Sequence, residues 1–198
     1  MKSEIIISGH GGQGVLELAN NLSYFQFLKG RHVAYTPSYG PESRGGKVKC
    51  FVVVSDEEIC SPIVEEPDLL VVMNRPSMDF VPLLRSGGGL LMNSSLIPED
   101  PARRDIRVFK IPATELADGL RYEVGFDVMK DTKITANSVM FGAYLAVSGE
   151  MLESVATVKQ VFAHFLTDRK ARYVPLNLEA VDKGFRFADG LSLALIQS

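Results

Sequence analysis

Short, unbroken apolar runs recur along the chain, and between them apolar residues return every three or four positions. That exchange of periods predicts strands interleaved with helices. Glu4-Ile5-Ile6-Ile7-Ser8 is too short for a helix and rich in isoleucine, so residues 4–8 read as a buried strand. From Gly14 to Lys29, Val15, Leu18, Ala19, Leu22 and Phe25 keep helical spacing, and Gly30 supplies the stop. Tyr24, Phe25, Phe27 and Leu28 make the end of that helix apolar on more than one side. Further strands are expected at His32–Thr36, Lys47–Ser55, Asp68–Met73, Leu90–Met92 and Ile106–Phe109. Pro76 opens a helix over Ser77–Leu84, and a short one begins at Pro112. Residues 121–134 carry neither period. Asn137 is placed to cap a helix through Val147 that is apolar nearly all round and therefore central or at an interface. Glu153–Leu166 and Leu178–Phe187 read as two more helices. The order predicts an α/β fold: a three-layer α/β/α domain with a mostly parallel sheet and a helical C-terminal third. With no repeat, low-complexity tract or linker, residues 1–198 are expected to form a single domain.

Two stretches escape both periods. Gly9-His10-Gly11-Gly12-Gln13-Gly14 stands where the first strand hands over to the first helix. Its glycines allow positive φ and close approach, and the helix adds free N–H groups and the positive end of its dipole. A phosphate or carboxylate is the fitting guest, a ligand-free tight turn the plainer alternative. The spacing also matches the dinucleotide fingerprint, but that needs an acidic residue near the end of the second strand. His32-Val33-Ala34-Tyr35-Thr36 has none. The second stretch, Pro37-Ser38-Tyr39-Gly40-Pro41-Glu42-Ser43-Arg44-Gly45-Gly46, reads as a loop because of its prolines and glycines. In an open parallel sheet, ligands bind beyond the carboxyl ends of the strands, so the two loops are expected side by side in one site. Arg44 would be its charged donor, or else the ion-pair partner of Glu42. Tyr39 could stack on a ligand or pack over the loop, and His10 could move a proton or serve only the backbone.

Composition narrows the classes. A net charge of -3 and a pI near 5.7, with no basic stripe, argue against nucleic acid as a partner. No apolar run approaches membrane-spanning length, and the chain begins almost at its first strand, so a cytoplasmic protein is expected. Hydrophobic content is 46%, enough for some of the surface to be an interface. Cys50 and Cys60 form no C-x-x-C pair and cannot by themselves hold an iron–sulfur cluster or structural zinc.

At the two loops the chain resembles the gamma subunit, or equivalent domain, of the 2-oxoacid:ferredoxin oxidoreductases. Gly9 to Val15 and Pro37 to Gly46 carry the likeness, and Ser55-Asp56, Ile59, Ser61-Pro62 and Pro67-Asp68 fit the family's next segment. Asn137 with Gly142-Ala143, and then Asn177, Ala180 and Gly184, extend it over nearly the whole chain. Tyr39-Gly40-Pro41-Glu42-Ser43-Arg44-Gly45-Gly46 is more similar to the 2-oxoglutarate and branched-chain enzymes than to the pyruvate ones. Ser43 departs from the methionine usual there.

The resemblance implies a Rossmann-like subunit, inactive alone, lying against a catalytic core and associated with coenzyme A access. Its complex would convert a 2-oxoacid and coenzyme A to acyl-CoA, carbon dioxide and reduced ferredoxin. Thiamine diphosphate, magnesium and the iron–sulfur clusters would be held by alpha and beta subunits, with or without a ferredoxin-like delta subunit. This chain alone would carry no cofactor. The residues expected at a ligand or an interface are Gly9, His10, Gly11, Gly12, Gln13, Gly14, Tyr39, Gly40, Glu42, Arg44, Gly45, Gly46 and Asn137. The alternative is a free-standing α/β domain binding a nucleotide or an acyl-phosphate. In isolation the chain is expected to expose an apolar patch or to self-associate, for example as a homodimer.

Overall fold

The computed structural model describes residues 2–39, 46–123, 135–150 and 155–196, with the backbone alone at 39, 121–123 and 192–196. The chain divides into two compact units, Met1–Lys110 and Ile111–Ser198.

The first unit is built on a six-stranded sheet. Its strands are β1 (Lys2–His10), β2 (His32–Tyr39), β3 (Lys47–Ser55), β4 (Leu69–Val72), β5 (Gly89–Asn93) and β6 (Arg107–Ile111), in the order β2-β3-β1-β4-β5-β6. β1, β4 and β5 are parallel, whereas β3 is antiparallel to both of its neighbours, β1 and β2. The α/β class, the mostly parallel sheet and the helical C-terminal third expected from sequence are thus observed, with β3 as the exception. Its direction follows from chain length: residues 40–46 are too few for a crossover helix, so β2 and β3 pair as a hairpin.

The two-residue strand period sorts the core. Ile6, Val53, Leu70, Val72, Leu90 and Met92 share one face, where Val81 of the 3-10 helix Arg75–Leu83 and Leu84 just after it close over them with Val64 and Ile97. Ile5, Ile7, Cys50, Val52 and Val71 take the other face. Helix α1 (Val15–Leu28), which lies against β1, β2 and β3, buries Val15, Leu18, Ala19, Leu22 and Phe25.

One expectation is corrected here. Pro37, Ser38 and Tyr39 are the last three residues of β2, not loop. A proline is tolerated there because β2 is an edge strand, with only one side in the ladder.

The second unit contains α2 (Ala113–Glu123), α3 (Ala136–Val147), α4 (Val155–Phe165), a 3-10 turn (Asp168–Tyr173) and α5 (Val174–Ile196). Every residue of α3 from Ala136 to Leu145 is buried, which places that helix centrally. α3 and α5 pack backbone to backbone. A Cβ at Gly142 would lie 1.9 Å from the Val181 carbonyl oxygen, and one at Gly184 would lie 1.9 Å from that of Val139. Ser138 Oγ donates to Asn177 Oδ1 at 2.6 Å, and Asn177 Nδ2 to the Tyr173 carbonyl at 2.8 Å, fixing the register of the pair. Gly149, at φ 75, ends α3, with Glu150 N–H donating to Leu145 O and Gly149 N–H to Ala146 O.

Candidate functional site

β1 carries the first glycine loop to one edge of the sheet. In the β1–β3 ladder His10 faces Lys47, and in the β2–β3 ladder Tyr39 faces Val48. β2 therefore ends, and β3 begins, at the same edge at which β1 enters the glycine loop. Residues 40–45 fall outside the described residues, Gly40, Glu42, Arg44 and Gly45 among them; Gly46 is buried at the foot of β3, and Tyr39 is described only as backbone.

The loop is tight beneath and open above. A Cβ at Gly9 would lie 2.7 Å from Val15 Cγ2, 2.8 Å from Gln13 Oε1 and 2.9 Å from Met73 Cβ, so only glycine lets α1 settle on the strand. Gln13 N–H donates to His10 O at 3.2 Å, with Gly12 at φ 93 and Gly14, the N-cap of α1, at φ 70. Gly11 and Gly12 are exposed, and a Cβ at Gly12 would meet nothing within 4 Å. No side chain caps α1 at Gly14, and the N–H groups of an α-helix's first turn have no partner within the helix itself. Glu17, also in the first turn, already answers part of the dipole. An incoming anion is best placed above Gly11–Gly14.

A buried polar chain holds this loop, and sequence reading misses most of it. Gln13 Oε1 accepts from His10 N–H and from Asn74 Nδ2, both at 2.8 Å, while Gln13 Nε2 donates to Met73 O at 3.3 Å. Asn74 caps the 3-10 helix, its Oδ1 accepting from Ser77 N–H at 3.1 Å and from Ser77 Oγ at 2.8 Å. Ser8 Oγ lies 3.0 Å from Ser77 Oγ and 3.3 Å from Val48 O. Asn93 Nδ2 approaches Met73 O at 3.5 Å. Gln13, expected to meet a ligand, thus has both ends of its amide committed within the chain. Asn74-Arg75-Pro76 is readable as a helix start, with a capping side chain before a proline, but its reach to Gln13 depends on β4 lying beside β1.

The groups left for chemistry are few. His10 Nδ1 is buried without a hydrogen-bond partner among the described residues. Lys47, opposite His10, is ion-paired with Asp79. Lys49 lies with Nζ 5.2 Å from the centroids of both Phe51 and Phe80, a cation held between two aromatic faces. Asn137 belongs to the second unit. It is buried, its Oδ1 accepts from Ser138 N–H at 2.9 Å, and it is not the helix cap, since Thr135 holds that position.

Cys50 is buried in β3, 3.9 Å from the Tyr35 hydroxyl. Burial pushes its thiol pKa up, partly offset by that hydroxyl. Cys60 is exposed, and among the described residues no group of three His, Cys, Asp or Glu side chains could hold a metal ion. No described helix is long and apolar enough to cross a membrane.

A glycine loop at a sheet edge is common to many folds, but here the family model described as pyruvate ferredoxin/flavodoxin oxidoreductase matches residues 4–187. The chain belongs to that family. Subunit KorC of the 2-oxoglutarate synthase of Archaeoglobus fulgidus is 32% identical over 182 residues, 91% of this chain and 85% of its own length. KorC of Methanothermobacter marburgensis is 36% identical over 75% of this chain and 79% of its own. Ketoisovalerate oxidoreductase subunit VorA of that organism is 33% identical over 92% of this chain, which spans only 36% of VorA. Among solved structures, the gamma subunit of a keto/oxoacid ferredoxin oxidoreductase from Geobacter sulfurreducens aligns with a TM-score of 0.72 and 26% identity, covering 94% of this chain and 98% of its own. The resemblance carried by the two loops is borne out at the level of the family and of relatives described as gamma or KorC subunits.

Proposed function

We propose that this chain, as one gamma domain over residues 1–198, is a subunit of a cytoplasmic 2-oxoacid:ferredoxin oxidoreductase. The assembled enzyme would convert a 2-oxoacid, 2-oxoglutarate by preference, and coenzyme A into acyl-CoA, carbon dioxide and reduced ferredoxin. The observation that carries this reading is the alignment with a KorC subunit along 85% of its length. An iron–sulfur cluster fits poorly on one buried and one exposed cysteine. The clusters, and thiamine diphosphate with its magnesium, are assigned to the alpha and beta chains. What this chain would supply is an anion site for the phosphates of coenzyme A, from the open backbone at Gly11–Gly14 with His10 in the same loop and Arg44 as the proposed charged donor.

The test is reconstitution with the chains encoded beside it, followed by viologen reduction with 2-oxoglutarate, pyruvate and ketoisovalerate, each with and without coenzyme A. The expected result is coenzyme A-dependent turnover with kcat/KM for 2-oxoglutarate at least about tenfold above the others. A preference for ketoisovalerate would reassign the substrate. A complex that forms but reduces no viologen with any of the three would overturn the reading.

A subunit taken from its partners should also be sticky. Phe27, 62% exposed, stacks on Tyr24 at 6.0 Å near the end of α1, whereas α3 has its apolar residues covered within the chain. Purified alone, the chain is expected to elute above its monomer mass, and Phe27→Glu to shift it toward monomer. A monodisperse parent monomer in sedimentation would remove α1 as an interface.

A further inference from the structure

The buried chain beneath the glycine loop assigns a role to a residue far from it in sequence. Gln13 has no freedom in its amide orientation. Its Oε1 meets the His10 N–H, which can only donate, and its Nε2 meets the Met73 carbonyl, which can only accept. Asn74 is fixed in the same way, because its Oδ1 receives the Ser77 N–H and so turns Nδ2 toward Gln13. Asn74 and Ser77 are buried, and Ser8 extends the chain to Val48 O, so water has little access to replace a missing partner.

Two jobs are combined in Asn74. Its Oδ1 caps the 3-10 helix, which is structural. Its Nδ2 crosses to a residue 61 positions away and holds the side chain that in turn holds His10 N–H. The second job does nothing for the 3-10 helix. It sets where the backbone of residues 10–14 stands, and so where the N–H groups above Gly11 point.

We infer that Asn74 is the positioning residue of the glycine loop, acting through Gln13 to keep that loop preformed for an anionic ligand. This rests on the reading of the loop as the coenzyme A phosphate site. The two jobs can be separated by substitution. Asn74→Ser keeps a capping oxygen for Ser77 N–H but is too short to reach Gln13. Gln13→Leu removes the link from the other side and leaves the cap intact.

In the reconstituted complex, with coenzyme A titrated at saturating 2-oxoglutarate, each variant is expected to raise KM for coenzyme A about tenfold. The kcat per assembled complex should stay within about twofold. The double variant should go no further than Gln13→Leu alone, since that substitution already removes the side chain through which Asn74 acts. In the isolated full-length chain, amide hydrogen exchange of residues 10–14 should speed up by about tenfold in both variants while α5 keeps its protection. Faster exchange together with an unchanged KM would show that Asn74 holds the loop but that coenzyme A does not use it, and would overturn the inference as stated. Unchanged exchange would overturn it at its first step. A KM that stays put while the melting temperature falls would reduce Asn74 to a helix cap. If the parent complex shows no coenzyme A-dependent turnover but the exchange effect is present, it is the proposed function that has failed, not the link from Asn74 to the loop.

Discussion

Gly184→Val is expected to leave the chain unable to hold its C-terminal helices together. A Cβ at position 184 would lie 1.9 Å from the carbonyl oxygen of Val139 and 2.7 Å from its carbonyl carbon. The obstacle is backbone, so no rotamer change relieves it, and α5 must separate from α3 by more than a methyl radius. That separation exposes the facing pairs around Val139, Ala180 and Val181, all buried in the parent. It also stretches the 2.6 Å bond from Ser138 Oγ to Asn177 Oδ1, two turns away along α5. Overpacking with backbone displacement costs about 1–3 kcal/mol and occasionally more. Because the apolar packing between the two helices is opened to water as well, the expected cost is at least about 3 kcal/mol. Gly184→Ala should do nearly as much harm, since the Cβ is itself the clashing atom. By contrast, Gly190→Ala, in the same helix, meets nothing within 4 Å and should be neutral or slightly stabilising. Urea denaturation of the three variants beside the parent measures this. A Gly184→Ala midpoint equal to that of Gly190→Ala would mean that the two helices are not in backbone contact.

The pair Gly142 and Gly184 also shows what is legible in the sequence and how. Both are marked there by their place in a family pattern, without a physical reason, because the reason is the approach of two helices far apart in the chain. Asn177 and Asp68 are marked in the same way. In the fold, Asn177 sets the helix register, and Asp68 accepts the Glu4 N–H at 2.6 Å and pairs with Arg85 at 2.6 Å. The periodic elements are readable on their own terms. Strands β1 and β3 to β6 and helices α1 and α3 lie within a few residues of where their apolar spacing places them. The errors have local causes. Pro37 reads as a strand terminator, although an edge strand accommodates it. Asn137 reads as the cap of α3 on residue type alone, although Thr135 precedes it. At the site, the glycine loop and its edge are legible because glycine spacing and strand ends are local facts. The polar chain Ser8–Ser77–Asn74–Gln13 is not, because serine and asparagine in or beside apolar runs announce a partner only once the strands are paired.

Arg44→Ala is expected to reduce kcat/KM of the reconstituted oxidoreductase by roughly ten- to a hundredfold while changing the stability of this chain little. The motivation is placement in sequence together with the ladder around it. Arg44 lies between Tyr39, which closes β2, and Lys47, which opens β3 opposite His10. A segment rich in proline and glycine offers an arginine little core to support, which makes recognition the better use of its guanidinium. The nearby cations are already engaged, Lys47 by Asp79 and Lys49 between two phenylalanine rings. On the proposed reading, Arg44 is the charged partner of an anion held by the first loop. Loss of a charge-assisted hydrogen bond of that kind costs about 1.5–3 kcal/mol, which corresponds to that range in rate. If Arg44 only paired with Glu42 in solvent, the bond would be worth under about 1 kcal/mol and turnover would hardly change. The measurement is oxoacid-dependent viologen reduction with coenzyme A titrated, beside a thermal melt of the isolated chain. Arg44→Lys divides the remaining possibilities, since a lysine restores the charge but not a two-pronged grip. Recovery to near parental kcat/KM would mean that charge alone is used. A loss as deep as that of alanine would identify bidentate recognition of a phosphate or carboxylate. A lower melting temperature with normal activity per folded complex, in either variant, would return Arg44 to the scaffold.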